Sequence, residues 1–290
     1  MFFFKKSHDC GCFSEKSSKF APQMTEQTQS YTQEKVGSYR FLAEPFHCDF
    51  KSELTMGHLG NTLLNAADFH SHDRGFGMIY LNSIHKTWVL SRLCIELERM
   101  PKAFEAFHVE TWVENAMRFF TNRNFAIIDQ EGHAFGYGRS VWAMIDTDTR
   151  QPQNLFEVHD GRLQDYIEAD KPCPIEKGSR VKLPTDAQWL RTIDTHYNDV
   201  DMNGHINSIK YIEHVLDLWP IEWHRQYRIK RFETAYVAEA HPGDQLHFYC
   251  TESQPGDFGI RITRTVPGQS RDEEVEVCRC RIVAERSVGE

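Results

Sequence analysis

Long apolar runs are missing from this chain. None approaches the ~20 residues of a membrane-spanning helix, so no membrane span is expected. Positive charge is also short: 33 Lys and Arg face 42 Asp and Glu, a formal net charge of −9. That balance excludes bulk binding of nucleic acid. There is no Walker loop and no G-x-G-x-x-G after a strand, and Gly75-Phe-Gly77 and Gly136-Tyr-Gly138 are too short to cradle a phosphate. The eight cysteines contain no C-x-x-C pair. His70-Ser-His72-Asp73, the nearest approach to a metal-ligand set, lacks further ligands at usable spacing. No cofactor and no metal are therefore expected. The apolar run Phe2–Phe4 is too short for a signal-peptide core, and its positive charges follow it instead of preceding it. A cytoplasmic location with free thiols is the expectation. Residues 1–38 are rich in Ser, Thr, Gln and Lys and hold no lasting period, so they are expected to form a disordered tail, with Met24 competing with Met1 as the start.

What is present is enough for a sizeable core: 290 residues, 40% hydrophobic and 12% aromatic, one large domain or two ordinary ones. One order of elements occurs twice. In the first half a strand-like stretch, Phe46–Leu54, leads to Gly57-His58-Leu59 and a helix through Leu63, Leu64, Ala66, Ala67 and Phe69. Strands are expected at residues 88–97, 106–115, 119–129 and 136–145, with Asp129-Gln-Glu-Gly132 as a hairpin turn. In the second half Gly204-His205-Ile206 opens a helix whose apolar residues Ile206, Ile209, Ile212, Leu216 and Trp219 recur at helical spacing, and Pro220 ends it. Strands follow at 227–238, 245–253, 258–265 and 274–284. Long strands bury one face only if something covers it, and the single apolar helix of each half is the candidate. The plan is α+β: a tandem, or double, hot dog, each half a long helix wrapped by an antiparallel sheet. The halves are expected at 39–150 and 180–290, joined by a polar, Pro-containing linker at 151–179.

The stretch NDVDMNGHINSIKYIEH, residues 198–214, carries the chemistry. Asp201, Asn203 and His205 alternate, so on extended backbone they face one space, just where a helix begins. A carboxylate that orients an imidazole, an amide that binds water or a carbonyl oxygen, and helix-terminal N–H groups suit hydrolysis of an activated acyl group. Setting Gly57-His58-Leu59 against Gly204-His205-Ile206 puts Leu54 opposite Asp201 and Met56 opposite Asn203, so one catalytic half and one substrate-holding half are expected.

Asn203, His205, Ile206, Asn207, Ser208, Lys210 and Tyr211 resemble the N-x-H-[VI]-N-N/S-x-K-Y block of the plant and bacterial acyl-ACP thioesterases. Ser208 departs from the commoner second Asn. The resemblance extends over most of residues 39–285: Glu110-Thr-Trp112, Arg123-Asn124-Phe125, Ser140-Val-Trp142, and Asp146 with Thr149-Arg150-Gln-Pro152 are similar to blocks of that family. It implies a second carboxylate before the Ala240-His241-Pro-Gly-Asp244 turn. It favours Glu239 there over Glu233, which spacing alone does not separate. Plant members carry a Cys where this chain has Ala240, which rules out a thiol nucleophile at that position.

The function implied is an acyl-ACP hydrolase, a thiolester hydrolase of fatty acid biosynthesis, releasing free fatty acid and holo carrier protein. In the expected mechanism Glu239 is general base and holds the lytic water with Asn203. His205 contacts the thioester, Asp201 fixes the His tautomer, and N–H groups at the start of the Ile206 helix receive the oxyanion. Direct attack by Glu239 through an anhydride is the rival chemistry. Met56, Leu59, Leu63, Phe69, Met78 and Trp112 are the expected lining of an acyl pocket between the first helix and its sheet, although core packing also explains each. The acidic acyl carrier protein is the expected partner, docked on Trp223–Arg231 or on Lys177, Arg180 and Lys182. Homodimerisation is left open. The alternatives are an acyl-CoA thioesterase, or a non-hydrolytic acyl-binding or dehydratase-like hot dog.

Overall fold

The computed structural model describes residues 31–178, 181 and 187–287. Within residues 32–290, which form one compact unit, ten strands make a single sheet. They are β1 (Gly37–Leu42), β2 (Lys86–Leu97), β3 (Ala106–Ala116), β4 (Phe120–Ile128), β5 (Ala134–Asp146), β6 (Gln188–Asp194), β7 (Tyr227–Tyr236), β8 (Gln245–Gln254), β9 (Asp257–Thr265) and β10 (Val275–Arg286). Their order, β1-β3-β4-β5-β2-β7-β10-β9-β8-β6, reads as the same five-strand pattern from either edge. The halves meet at an antiparallel β2–β7 seam, where Leu93 faces Thr234 and Cys94 faces Glu233.

Two helices cover this sheet. Helix α1 (Met56–His72) buries Met56, Leu59, Leu63, Ala66 and Ala67 at helical spacing, and α3 (Ser208–Leu216) buries Ile209, Tyr211, Ile212 and Val215. They share one core with Ile95, Phe107, Phe232, Phe248 and Ile260. Each fully buried aliphatic side chain contributes roughly 2 kcal/mol. Gly57 and Gly60 let α1 approach α3: a Cβ at Gly60 would lie 2.7 Å from Ile209 Cδ1, and one at Gly57 2.7 Å from Glu213 Cγ. Short helices α2 (Met78–Ser83) and α4 (Ile221–Gln226) flank the strands. No helix of the described residues is long and apolar enough to cross a membrane.

The double hot dog is therefore present, with departures in detail. Residues 46–54 are not a strand. Pro45 opens a 3-10 turn over Pro45–His47, and the following loop closes through a Cys48–Leu54 bridge. The edge strands β1 and β6 are absent from the expected list. The tail expected over 1–38 lies outside the described residues up to residue 30, and its end overlaps β1, which starts at Gly37. Helix α3 stops at Leu216, and Pro220 caps α4 instead of ending a longer helix. The expected linker is no bare spacer. Leu155, Val158, Leu163 and Tyr166, in a 3-10 stretch, are buried with Phe76, Leu81 and Met144, a second core cluster on the first half.

Candidate active site

The loop before α3 is held by one carboxylate. Asp201 Oδ1 accepts from Asn203 N at 2.8 Å and His205 N at 3.2 Å. Asp201 N donates to His205 O at 2.8 Å, and Gly204 N to Asp201 O at 3.1 Å. Gly204 sits at φ +81°, a left-handed conformation in which a glycine costs nothing. Ile206 N then donates to Ala240 O at 2.9 Å, which ties this loop to the one after β7. The residues next to this joint, His205 and Glu239, come together: His205 Nδ1 lies 3.5 Å from Glu239 Oε1. His241 stands edge-on to His205, ring centroids 5.2 Å apart.

The first half reaches this site too. Arg150 pairs with Glu239 Oε1 through Nη2. Its loop is pinned by Asp146, whose Oδ1 accepts from Thr149 N at 2.8 Å and Asp148 N at 3.1 Å. The Thr149 amide is the main reason the Asp146 carboxyl is held below its ordinary range. Arg150 is the site member, and His241 the neighbour of the site, that sequence reasoning did not single out. Arg150 was visible only inside the Thr149–Pro152 block, with nothing to say which carboxylate it would meet.

The structure revises two expected roles. Asp201 spends Oδ1 on its own loop, and His205 Nδ1 faces Glu239, so Asp201 is not placed to fix the tautomer. The expected oxyanion donors at the helix start are narrowed: the amides of 203, 204, 205, 206 and 207 are all donated within the protein, and Ile209 N goes to Asn207 Oδ1 at 2.9 Å, which leaves the Ser208 amide at the first position of α3. The two candidate carboxylates differ in burial. Glu233 is 3% exposed and takes Arg231 Nε at 2.8 Å, whereas Glu239 stands in the loop beyond β7, open to the site.

The repeat alignment shifts as well. Asp49 Oδ1 accepts from Lys51 N at 2.8 Å and Glu53 N at 3.2 Å, Asp49 N donates to Glu53 O, and Ser52 N to Asp49 O. Leu54 N donates to Pro101 O, as Ile206 N does to Ala240 O. Asp49 is thus the counterpart of Asp201, Lys51 of Asn203, Glu53 of His205, Met100 of Glu239 and Lys102 of His241. His58 is a first-turn residue of α1, its Nδ1 2.8 Å from the capping Thr55 Oγ1.

A cavity of about 50 Å³ lies between α1 and its sheet, lined by Leu64, Ala67, Trp88, Val113, Arg123 and Trp142 among others. None of the six expected lining residues borders it. Leu59, Leu63 and Trp112 are fully buried, Met56 borders a larger cleft near the start of α1, Phe69 is 45% exposed against Phe41, and Met78 opens α2. The first turns of α1 face the common core. Its later turns face the cavity. His70 and His72 do not form a ligand set: His70 Nε2 bonds Lys35 O at 3.0 Å, and His72 is exposed. In the basic stretch, the half-buried Arg231 pairs with Glu96 and Glu233, and Arg228 pairs with Glu285, which leaves Arg225 and Lys230 outermost. Arg180 and Lys182 lie outside the described residues.

Two helix-covered sheets fused at a seam, with an Asn–His loop meeting a Glu loop at one end, define a thioesterase-type tandem hot dog. The family's N-terminal domain, described as acyl-ACP thioesterase N-terminal domain, matches residues 34–160, and its C-terminal domain matches residues 183–288. A crystal structure of an acyl-ACP thioesterase from Bacteroides thetaiotaomicron is 52% identical, covers 87% of this chain and 98% of its own, and superposes with a TM-score of 0.78. The chain belongs to the acyl-ACP thioesterase family. Oleoyl-acyl carrier protein thioesterase 2, chloroplastic, from Arabidopsis thaliana is 26% identical over 78% of this chain, which spans 65% of that relative's length. The 12:0-ACP thioesterase from Umbellularia californica, at 20% identity and a TM-score of 0.72 over 87% of this chain and 98% of its own, shares the fold.

Proposed function

We propose that the protein hydrolyses fatty acyl-ACP to free fatty acid and holo carrier protein, with the chemistry at Glu239, Asn203 and His205. A chain released from its carrier is no longer elongated, so the reaction terminates fatty acid synthesis. The observation that carries the reading is the meeting of Glu239 and His205 at 3.5 Å on two loops joined backbone to backbone.

A thioester is already activated, so the site needs to place water, take one proton and stabilise an oxyanion. Water held between Glu239 and Asn203 loses a proton to the carboxylate as its oxygen attacks the carbonyl carbon. The backbone amides of residues 203–207 are committed, so the oxyanion is met by the Asn203 side-chain amide and the Ser208 N–H at the start of α3. When the C–S bond breaks, the proton on Glu239 reaches the departing sulfur through His205. Arg150 holds the carboxylate in place from the first half. The end of the acyl chain enters the cavity between α1 and its sheet, which must widen from about 50 Å³ to take a whole fatty chain. Strand β5 carries Trp142 into that cavity and runs on to the Arg150 loop, so tail and chemistry share one support.

The test is thiol release from a panel of acyl-ACPs and the matching acyl-CoAs, by wild type and Glu239→Gln. Fast release from acyl-ACP, lost in the variant, supports the reading. Equal turnover of free CoA esters would point to an acyl-CoA thioesterase. Interconversion of 3-hydroxyacyl and enoyl thioesters without hydrolysis would point to a dehydratase.

A further inference from the structure

His205, Glu239 and His241 each offer a ligand atom, and the three lie within 4.8 Å of one another; among the described residues no other group of His, Cys, Asp or Glu does this. Two imidazoles and a carboxylate are a common donor set for zinc. A tetrahedral ion with bonds of about 2.0–2.1 Å holds its ligand atoms about 3.4 Å apart. His205 Nδ1 and Glu239 Oε1 are already 3.5 Å apart, so a small swing of the half-exposed His241 ring completes three ligands. The loops are fixed relative to each other by the Ile206–Ala240 hydrogen bond, so little ordering is required.

Nothing in the loop architecture demands this trio. The matching loops of the first half have the same hydrogen bonds with Glu53, Met100 and Lys102 in its place. Hydrolysis as described above makes no use of His241.

We propose that His205, Glu239 and His241 form a zinc-binding site that inhibits the enzyme when filled. The inhibitory part rests on the placement of hydrolysis at Glu239 and His205; the binding part does not. The ion's natural competitor is Arg150, whose guanidinium occupies Glu239 Oε1. Zinc must displace it, so the two cations exclude each other.

The experiment is calorimetric titration of the untagged protein with zinc chloride, alongside thioester hydrolysis in zinc with and without EDTA. The proteins compared are wild type, His241→Ala and Arg150→Gln. Expected are one zinc per chain in wild type and inhibition reversed by EDTA. His241→Ala should bind at least tenfold more weakly and keep turning over at zinc concentrations that silence wild type. Arg150→Gln should bind severalfold more tightly, the opposite direction. Absence of saturable binding, or equal binding by wild type and His241→Ala, would overturn the site. Binding that is lost in His241→Ala yet leaves wild-type hydrolysis untouched would uphold the site and overturn both its inhibitory role and the placement of hydrolysis at Glu239.

Discussion

Asp49 and Asp201 perform the same task in the two halves of the molecule. Each carboxylate oxygen accepts from the backbone amides two and four residues on, and each residue's own amide donates to the carbonyl four residues on. One loop carries Asn203 and His205 and lies against Glu239. The other carries Lys51 and Glu53 and lies against Met100. The loop is a feature of the fold, and the side chains proposed to be catalytic stand on only one copy of it.

These hydrogen bonds suit Asp201 to a positioning role, and substitution should separate that role from a direct one. Asp201→Asn retains an acceptor oxygen, so it should keep most of the stability and turnover. Asp201→Ala loses hydrogen bonds to an ionised group and should destabilise by about 2 kcal/mol. Asp49→Ala should cost a similar amount in chemical denaturation while leaving kcat/KM near wild type. A large loss of kcat in Asp201→Asn, with stability intact, would restore the tautomer-fixing role.

Much of this was legible beforehand, for physical reasons that differ by residue. The long strands and the apolar stripes of α1 and α3 are periodic, and periodicity survives in a single sequence. Glu239 stood out through a block of similar residues. The exposed edge strand β6 carries little apolar alternation, and its burial pattern confirms why it was missed. The Asp49 loop was hidden because Ser52 adopts φ +58° where its counterpart is Gly204. With no glycine to mark it, the alignment slid onto Gly57. The Arg150–Glu239 pair joins residues 89 apart across the two halves, and no local pattern encodes such a meeting.

Arg150 should act on turnover more than on binding. Both partners are substantially exposed, at 43% and 38%, so solvent screens the pair to about 0.2–1 kcal/mol. Arg150→Met should lower kcat by up to about fivefold with little change in KM. Arg150→Lys should recover part of the loss. A shift confined to KM would place Arg150 in substrate binding instead.

Thiol chemistry should be irrelevant to turnover. Burial pushes the Cys94 thiol up to about 12 and Cys250 up to about 11, and Cys278 and Cys280 are fully buried in the second half. Iodoacetamide at pH 7.5 should spare Cys94, Cys278 and Cys280 in the native protein, as read by peptide mapping, and leave hydrolysis of acyl-ACP unchanged. Inactivation that tracks alkylation of one cysteine would bring a thiol back into the mechanism.

Acid sensitivity should trace in part to His70. Burial pushes its imidazole down to about 2, with Arg123 and then Arg74 adding repulsion, and its Nε2 donates to Lys35 O. In the unfolded chain the same ring titrates near 6.5. Between these values the unfolded state binds the extra proton, so the full stability is present above pH 6.5 and declines as pH falls below it. The slope from one such group is about 1.4 kcal/mol per pH unit, or about 2 kcal/mol between pH 6.5 and pH 5. His70→Gln keeps a donor for Lys35 O and removes the titration. Carboxylates contribute equally in both proteins, so denaturant unfolding of the pair at pH 7.5, 6.5 and 5 isolates this one group. The variant should lose about 2 kcal/mol less than wild type over the acid step. Parallel losses would mean that His70 is protonated in the folded protein, and that Arg74 and Arg123 do not repel it as their positions require.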